Sequence, residues 1–270
     1  MKYKAGLLSL LFIIIFISGC SSGRTDELTV GTTGQMARYT QIDGEGHPEG
    51  FEIDIWNEIG RRMGKTVRFR MGTLTGLWGM LDSGSLDSIA NPTAATKERE
   101  EKYLFTAPYD YDPYVLVTAE SGEPFSDEGI QSFQGRSVCV AAGTNLSLVL
   151  DRWNESHGNP VKTGYLDDQS VLLPAVMNGT YDAAFMLRSG AEIAARDLHM
   201  DIHIHPSRIP VLPAVFAFRK DGRGRDLSVQ VSRILQDMKN DGTLRQMSVK
   251  WFGTDLTVPP PEEAVSEKNG

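Results

Sequence analysis

The stretch SIANPTAATKERE, residues 88–100, combines residue types that can bind an anion. Thr93 and Thr96 are both plausible N-caps for the run of helix-forming residues that follows, and if Thr96 is the cap, Arg99 lies at the third helical position. A helix N-terminus offers unpaired amides and about half a positive charge, and a guanidinium binds a carboxylate through two parallel hydrogen bonds. Together with the hydroxyls of Thr93 and Thr96, Arg99 therefore predicts a carboxylate-binding site. The alternative is a surface arginine paired with Glu98, and the local sequence leaves both open.

The stretch AAGTNLS, residues 141–147, repeats this arrangement later in the chain. It follows an apolar, strand-like run, and Gly143 and Thr144 are expected to open a helix whose first amides are free. Such turns are common, so this stretch supports an anion site only as the partner of the first one.

The sequence gives little indication of catalytic, phosphate-binding or metal-binding motifs. The sequence contains no nucleophile elbow, no phosphate-binding loop and no paired zinc cysteines. The run DLHMDIHIH places His199, Asp201, His203 and His205 at alternate positions, on one face of a regular strand. A metal site is one interpretation. A solvated strand face is favoured because no matching ligands are apparent elsewhere, so we expect no metal and no cofactor.

The composition argues against one class of binding partner. The 270-residue chain has a net charge of −8 and no basic stripe interleaved with aromatic residues, which argues against nucleic acid. Its length allows one large domain or two smaller ones. With Cys20 assigned to the N-terminal signal described next, Cys139 has no disulfide partner, and its apolar surroundings predict a buried core thiol.

The N-terminus has the pattern of an export signal. Lys2 and Lys4 precede the apolar run AGLLSLLFIIIFI, which is too short for a convincing membrane span, and ISGC follows. A cysteine after small residues at this place resembles a bacterial lipobox, which implies cleavage before Cys20 and a lipid on that residue. The alternative is an ordinary signal peptide or N-terminal anchor. We expect a signal peptide over 1–19 and a lipidated tether over 20–27.

The remaining chain alternates strand-like and helix-like segments, which predicts an α/β fold with two units. We expect a first lobe over 28–116, a second over 117–210, a return to the first over 211–254 and a disordered tail over 255–270. The chain then crosses between lobes twice, near 117–119 and 209–213. Two crossings form a hinged cleft, and a cleft beyond strand C-termini is a common ligand site.

Several motifs, in this order and spacing, resemble the amino-acid-binding family of bacterial extracellular solute-binding proteins, family 3, which are receptors of ABC importers. They are GFEIDI, GMLDSGSLDSIAN with the following ER and FTAPY, FQGRSVCVAAGTN, NGTYDAAF and DGTLRQMSVKWFG. The segments 88–109 and 244–257 look most like the cystine-binding branch. The resemblance implies a two-lobed, type II periplasmic-binding-protein-like fold whose lobes are joined by two hinge strands. It also implies a monomer that works with an ABC transporter permease.

The resemblance also assigns site residues. It implies that Arg99 clamps the ligand carboxylate. The other positions that it implies are the lobe-one backbone at Asn91, Thr93 and Ala94, the lobe-two donors Gly143, Thr144 and Asn145, and the pocket walls Met36, Tyr39 and Trp78.

One departure from the family pattern concerns the ligand. Leu187 occupies the position where the family commonly has an aspartate that binds the α-ammonium group. Met36 and Arg38 also replace a usual aromatic residue and a usual proline. Either the ligand lacks a free α-ammonium or another acid reaches it, and we favour the second. The candidate acids are Asp110, Asp112, Asp167 and Asp168.

Three classes of function follow. The main one is a lipid-anchored, extracytoplasmic receptor that delivers a polar amino acid or cystine-like solute to an ABC importer, with a carboxylate lacking the amine as an alternative ligand. The second is an enzyme resembling cyclohexadienyl dehydratases of the same fold, which needs a positioned acid in the cleft. The third is a ligand-sensing module. We favour the first class and expect no enzyme activity.

Changing Cys20 to Ser tests the lipobox. We expect the Cys20→Ser protein to remain unprocessed and to lose stable acyl anchoring, because the thiol that carries the lipid is absent. Metabolic labelling with a fatty acid, together with the mass of the mature N-terminus, measures both effects. Cleavage at the same bond with equal membrane retention would contradict the lipobox.

Overall fold

The computed structural model describes residues 26–121 and 125–260. Strands in these ranges are β1 (Glu27–Thr32), β2 (Gln41–Ile42), β3 (Pro48–Glu49), β4 (Thr66–Met71), β5 (Ser88–Ala90), β6 (Tyr103–Phe105), β7 (Tyr114–Ala119), β8 (Ser137–Ala141), β9 (Lys162–Leu166), β10 (Ala183–Leu187), β11 (Ile202–Pro206) and β12 (Ala217–Arg219). The α-helices are α1 (Phe51–Met63), α2 (Leu74–Asp82), α3 (Lys97–Lys102), α4 (Asn145–Ser156), α5 (Leu172–Met177), α6 (Arg188–Asp197), α7 (Gly222–Asn240) and α8 (Thr243–Phe252).

The first lobe is built on the parallel sheet β4-β1-β5, with β6 and β12 paired beside it. Helix α1 is amphipathic, because its apolar residues recur at helical spacing, and it ends at Gly64 in the left-handed conformation. Trp56 of α1 packs on Phe216 at 4.9 Å between ring centroids, and Phe216 stacks on Tyr109 at 4.2 Å. The chain returns to this lobe through β12, α7 and α8.

The second lobe is a five-stranded sheet in the order β11-β7-β10-β8-β9. Strand β7 runs antiparallel to both neighbours, while β10, β8 and β9 are parallel, as crossover helices require. Cys139 of β8 is completely buried and unpaired, as predicted. Burial raises the pKa of its thiol to about 11, so the thiol is not nucleophilic at neutral pH.

The chain crosses between the lobes at 106–113 and 207–216, where Asp110 and Ala214 form an isolated antiparallel bridge. Strand β7 pairs with β10 and β11 from Tyr114 onward, so the first crossing lies before the predicted position at 117–119. Residues 117–119 therefore lie within the sheet of the second lobe. The second crossing includes the predicted stretch 209–213.

The predicted signal peptide, the lipidated Cys20 and most of the tether lie outside the described residues, as do 261–270 of the predicted tail. The start of that tail is not disordered. The carbonyl of Leu256 accepts a hydrogen bond from the Tyr111 amide at 2.8 Å, and Thr257 is 2% exposed. Within 26–121 and 125–260, no helix is long and apolar enough to cross a bilayer.

Candidate ligand-binding cleft

A cavity lies between the lobes, with about 760 Å³ of space that includes its opening to solvent. The ends of strands and the first turns of helices on both lobes form its walls. The predicted site residues that line it are Met36, Asn91, Thr93, Arg99, Thr144, Asn145 and Leu187. The apolar residues Leu74, Leu146 and Leu172 and the polar Gln169 also line it, although no local sequence signal marks them.

Arg99 lies on the lobe-one wall, at the start of α3. Thr96, one of the two candidate caps, caps this helix and accepts a hydrogen bond from the Arg99 amide at 3.4 Å. The Arg99 guanidinium lies 5.0 Å from the centre of the Trp78 ring and donates to the Ala94 carbonyl at 3.4 Å and to the Asn145 side chain. It forms no ion pair with any carboxylate in the described ranges, and burial lowers its pKa. Its charge is therefore available to an anionic ligand.

The lobe-two wall faces Arg99 with the first turn of α4. Thr144 caps this helix by accepting the Ser147 amide at 3.3 Å, as the sequence predicts. Asn145 reaches across the cleft, accepting from Arg99 and donating to the Pro92 carbonyl at 3.3 Å. Gly143 adopts φ of 69° next to this turn but is not in the cavity lining. Asn145 is thus the lobe-two residue that contacts the arginine.

The other predicted lobe-one residues have different positions. Asn91 lines the cavity, but its side chain is already bonded to Thr33, accepting from the amide at 2.9 Å and donating to the hydroxyl at 3.1 Å. Ala94 pairs with Ala214 of the second crossing. Trp78 contacts Arg99 from outside the cavity lining. Of these three residues, Asn91 therefore forms part of the cavity wall, whereas Ala94 and Trp78 support the wall from outside.

Tyr39 lies behind the cavity instead of forming its wall. It is 2% exposed, and its hydroxyl lies 3.1 Å from Asp110 Oδ2 and 2.9 Å from Asp112 Oδ2. Both aspartates belong to the first crossing, line the cavity and are at most 3% exposed. Asp112 also accepts the Ser189 amide, in the first turn of α6, at 3.2 Å. Tyr39 and Asp112 therefore join the two lobes.

The two carboxylates form an electrostatically unfavourable pair. Burial raises the pKa of Asp112 to about 6. Burial and the neighbouring Asp112 raise the pKa of Asp110 well above its ordinary value. Asp110 Oδ1 is buried without a hydrogen-bond partner, and neither carboxylate pairs with a basic side chain in the described part of the chain. A ligand cation would supply the missing positive charge.

Two of the four candidate acids therefore reach the cavity. Asp167 and Asp168 are exposed and absent from its lining, and Asp168 accepts the Ser170 amide at 2.8 Å in a local turn. Leu187, at the end of β10, lines the cavity and is 6% exposed. The position of the usual aspartate is thus an apolar wall, while Asp110 and Asp112 lie elsewhere in the same cavity.

Contacts outside the cavity also hold the lobes together. Arg152 of α4 pairs with Glu98 of α3 at 2.5 Å, and Arg38 pairs with Asp197 at the end of α6. Exposed ion pairs of this kind contribute about 0–1 kcal/mol each. The lobes are therefore in contact at both ends of the cleft.

Comparisons with known proteins agree with this geometry. The sequence model of bacterial extracellular solute-binding proteins, family 3, matches residues 28–254. PatH of Vibrio harveyi, a putative amino-acid ABC transporter-binding protein, is 29% identical over 246 residues, 90% of this chain and 95% of its own. The L-cystine-binding protein TcyK of Bacillus subtilis is 26% identical over 271 residues, 95% of this chain and 98% of its own. A putative L-cystine ABC transporter structure from Listeria monocytogenes has a TM-score of 0.75 at 26% identity and covers 86% of this chain and 98% of its own.

The aspartate pair makes a testable contribution to stability. Because the folded-state pKa of Asp112 is raised from 3.8 to about 6, the folded protein holds more protons than the unfolded one in this window. Stability from this group is therefore lost as pH rises from about 4 to about 6. We expect Asp112→Asn, which keeps an acceptor for Ser189, to remove this loss and to be more stable at pH 7 by about 1–3 kcal/mol. Urea denaturation at pH 4, 5, 6 and 7 measures it, with Asp167→Asn as the exposed control.

A wild-type pH dependence retained in Asp112→Asn would show that this carboxylate does not titrate in the buried pair.

Proposed function

Because the chain belongs to the bacterial extracellular solute-binding proteins, family 3, we propose that it is the receptor of an ABC importer for a polar amino acid or cystine-like compound. Membership of this family places the protein outside the cytoplasm and assigns it a small-molecule ligand. The ligand lies in the cleft between the lobes, with its carboxylate on Arg99 and its amine near Asp110 and Asp112.

The observation that carries this proposal is that the guanidinium of Arg99 forms no ion pair with a carboxylate of the described residues, although it donates to Ala94 and Asn145. Its side chain is partly buried between Trp78 and the first turns of two helices, and no carboxylate of the described residues neutralises it. Holding a charge out of water without a counterion is costly, so such an arrangement is maintained where a ligand provides the counterion. The fork of the guanidinium suits a carboxylate.

The ligand amine is assigned to the aspartate pair, because these carboxyl groups lie in the same cavity as Arg99 and have the opposite charge. Leu187 cannot bind an ammonium group, whereas Asp110 offers a buried oxygen without a partner. A zwitterionic ligand satisfies Arg99 and the aspartate pair together. The similarity to PatH and TcyK, named as amino-acid- and L-cystine-binding, supports a ligand of this class.

The anchoring of the receptor is a further part of the proposal. Cys20, at the end of the apolar N-terminal run, carries the lipid that holds the protein at the membrane next to its permease. The protein works as a monomer, because one cleft between two lobes of one chain is a complete site.

A second candidate function is favoured by one observation. Burial and the neighbouring Asp112 raise the pKa of Asp110, which lines the cleft, and a dehydratase of the cyclohexadienyl class needs a positioned acid there. Incubating the protein with prephenate and following the aromatic product by absorbance tests this function. Product formation that Asp110→Asn abolishes would establish it.

Removing the guanidinium tests the receptor directly. We expect Arg99→Ala to fold normally and to lose ligand affinity by about 10²–10⁴-fold, since a buried carboxylate without its partner costs roughly 3–5 kcal/mol. Arg99→Lys should recover only part, because lysine lacks the fork. A thermal-shift panel of L-cystine and the twenty common amino acids identifies the ligand, and calorimetry measures its affinity.

The matched control is Lys97→Ala, which removes an exposed cation from the same helix. Equal affinity of Arg99→Ala and Lys97→Ala would contradict the carboxylate clamp.

The amine assignment has its own test. We expect the amino-acid ligand to stabilise wild type but not Asp110→Asn. The matching carboxylate that lacks an amine should stabilise both proteins only weakly. The reason is that the ammonium group loses its anionic partner. The same thermal-shift panel, extended with amine-free carboxylates, measures this, and Asp167→Asn is the control. Full stabilisation of Asp110→Asn by the amino acid would assign the amine to another group.

A further inference from the structure

A second group of polar residues lies on lobe two, away from the lining of the cleft. Strand β11 is an edge strand of the five-stranded sheet, and His203 and His205 point to the same face of it. Asp127, which follows the start of the second described range at residue 125, lies against this face. One potential ligand atom from each of these three residues lies within 4.8 Å of the other two.

The distances between these atoms suit one metal ion. His205 Nδ1 lies 3.1 Å from Asp127 Oδ1, and the imidazole rings of His203 and His205 are stacked with 4.3 Å between centroids. Zinc binds imidazole nitrogen and carboxylate oxygen at about 2.0–2.2 Å, so two ligands of a tetrahedral ion lie roughly 3.3 Å apart. An ion can therefore sit between His205 and Asp127 with little rearrangement of either side chain.

The ring of His205 is held in the orientation that such a site needs. Its Nε2 lies 3.2 Å from the Thr118 hydroxyl on β7, and Phe125 and Phe133 contact the ring edge-on. Histidines that bind metals commonly have their second ring nitrogen hydrogen-bonded in this way, which fixes the tautomer and the ring plane. Thr118 thus leaves Nδ1 directed towards Asp127.

The charges around the group also fit a cation. Two basic residues face this region, but neither pairs with the Asp127 carboxylate in the described ranges: Arg208 donates to the Asp127 carbonyl at 3.0 Å, and Arg136 lies 5.4 Å from the Phe125 ring centre. The Asp127 side chain is 63% exposed, which leaves a path for an ion and its waters.

From this geometry we propose that Asp127, His203 and His205 form a binding site for a divalent transition metal ion of the zinc class. Water completes the coordination, because three protein ligands leave a tetrahedral position open. His199 and Asp201 precede β11 and are not part of the group. The sequence pattern at 199–205 did not reveal Asp127 as a ligand, because this residue is 78 positions from His205.

The position of the site suggests what the ion does. Binding joins the segment around Asp127 to β11, and β11 leads directly into the second crossing at 207–216. The ion therefore stabilises lobe two beside the hinge. This role is independent of the ligand in the cleft.

Zinc titration of the purified, full-length protein without an affinity tag tests the site. We expect calorimetry to show one equivalent of bound Zn²⁺, with affinity at least about tenfold weaker in Asp127→Asn and in His203→Ala. His199→Ala, an exposed histidine outside the group, is the matched control and should bind like wild type. His205 is left unchanged because its replacement would also disturb the packing of Phe125 and Phe133.

Circular dichroism of each variant verifies that the fold is retained. Absence of Zn²⁺ binding, or equal binding by wild type, Asp127→Asn and His203→Ala, would overturn the proposal. The group would then be a histidine hydrogen-bonded to an aspartate. Loss of binding in His199→Ala to the same extent as in the other variants would also overturn it.

Discussion

The cleft depends on a positive charge that no carboxylate within residues 26–121 and 125–260 pairs with. Arg99 is held by the cap of α3, the ring of Trp78 and the side chain of Asn145, and these contacts fix its direction without supplying a counterion. Because Asn145 belongs to lobe two, the arginine also marks where the lobes meet. A ligand carboxylate that binds here contacts both lobes at once, so binding favours their closure.

A second uncompensated charge lies at the hinge itself. Asp110 and Asp112 are part of the first crossing, and Tyr39 and Ser189 connect them to lobe one and lobe two. Two buried carboxylates that no basic side chain of the described residues neutralises are costly to keep ionised. The zwitterionic ligand proposed above would neutralise both groups. The cavity wall at Leu187 is apolar, whereas Asp110 and Asp112 lie elsewhere in the same cavity.

The sequence predicts the local parts of this site well. The caps at Thr96 and Thr144 depend on residues a few positions away, and so Arg99 and Asn145 are placed correctly at the first turns of their helices. The burial of Tyr39 behind the cavity and the choice of Asp110 over Asp167 depend on contacts between distant segments. Helical spacing and propensity carry no information about such contacts. The ordered structure at 255–257 was missed for the same reason, because it depends on contacts with distant segments.

The most direct measurement is the mass spectrum of small molecules released when the purified protein is denatured. The charges in the cleft predict one compound that carries both a carboxylate and an amine, as tandem fragmentation would show, and that is absent from protein purified with the Arg99→Ala change. A released compound that lacks either group, or that remains bound at wild-type amount after the arginine is removed, would contradict the account.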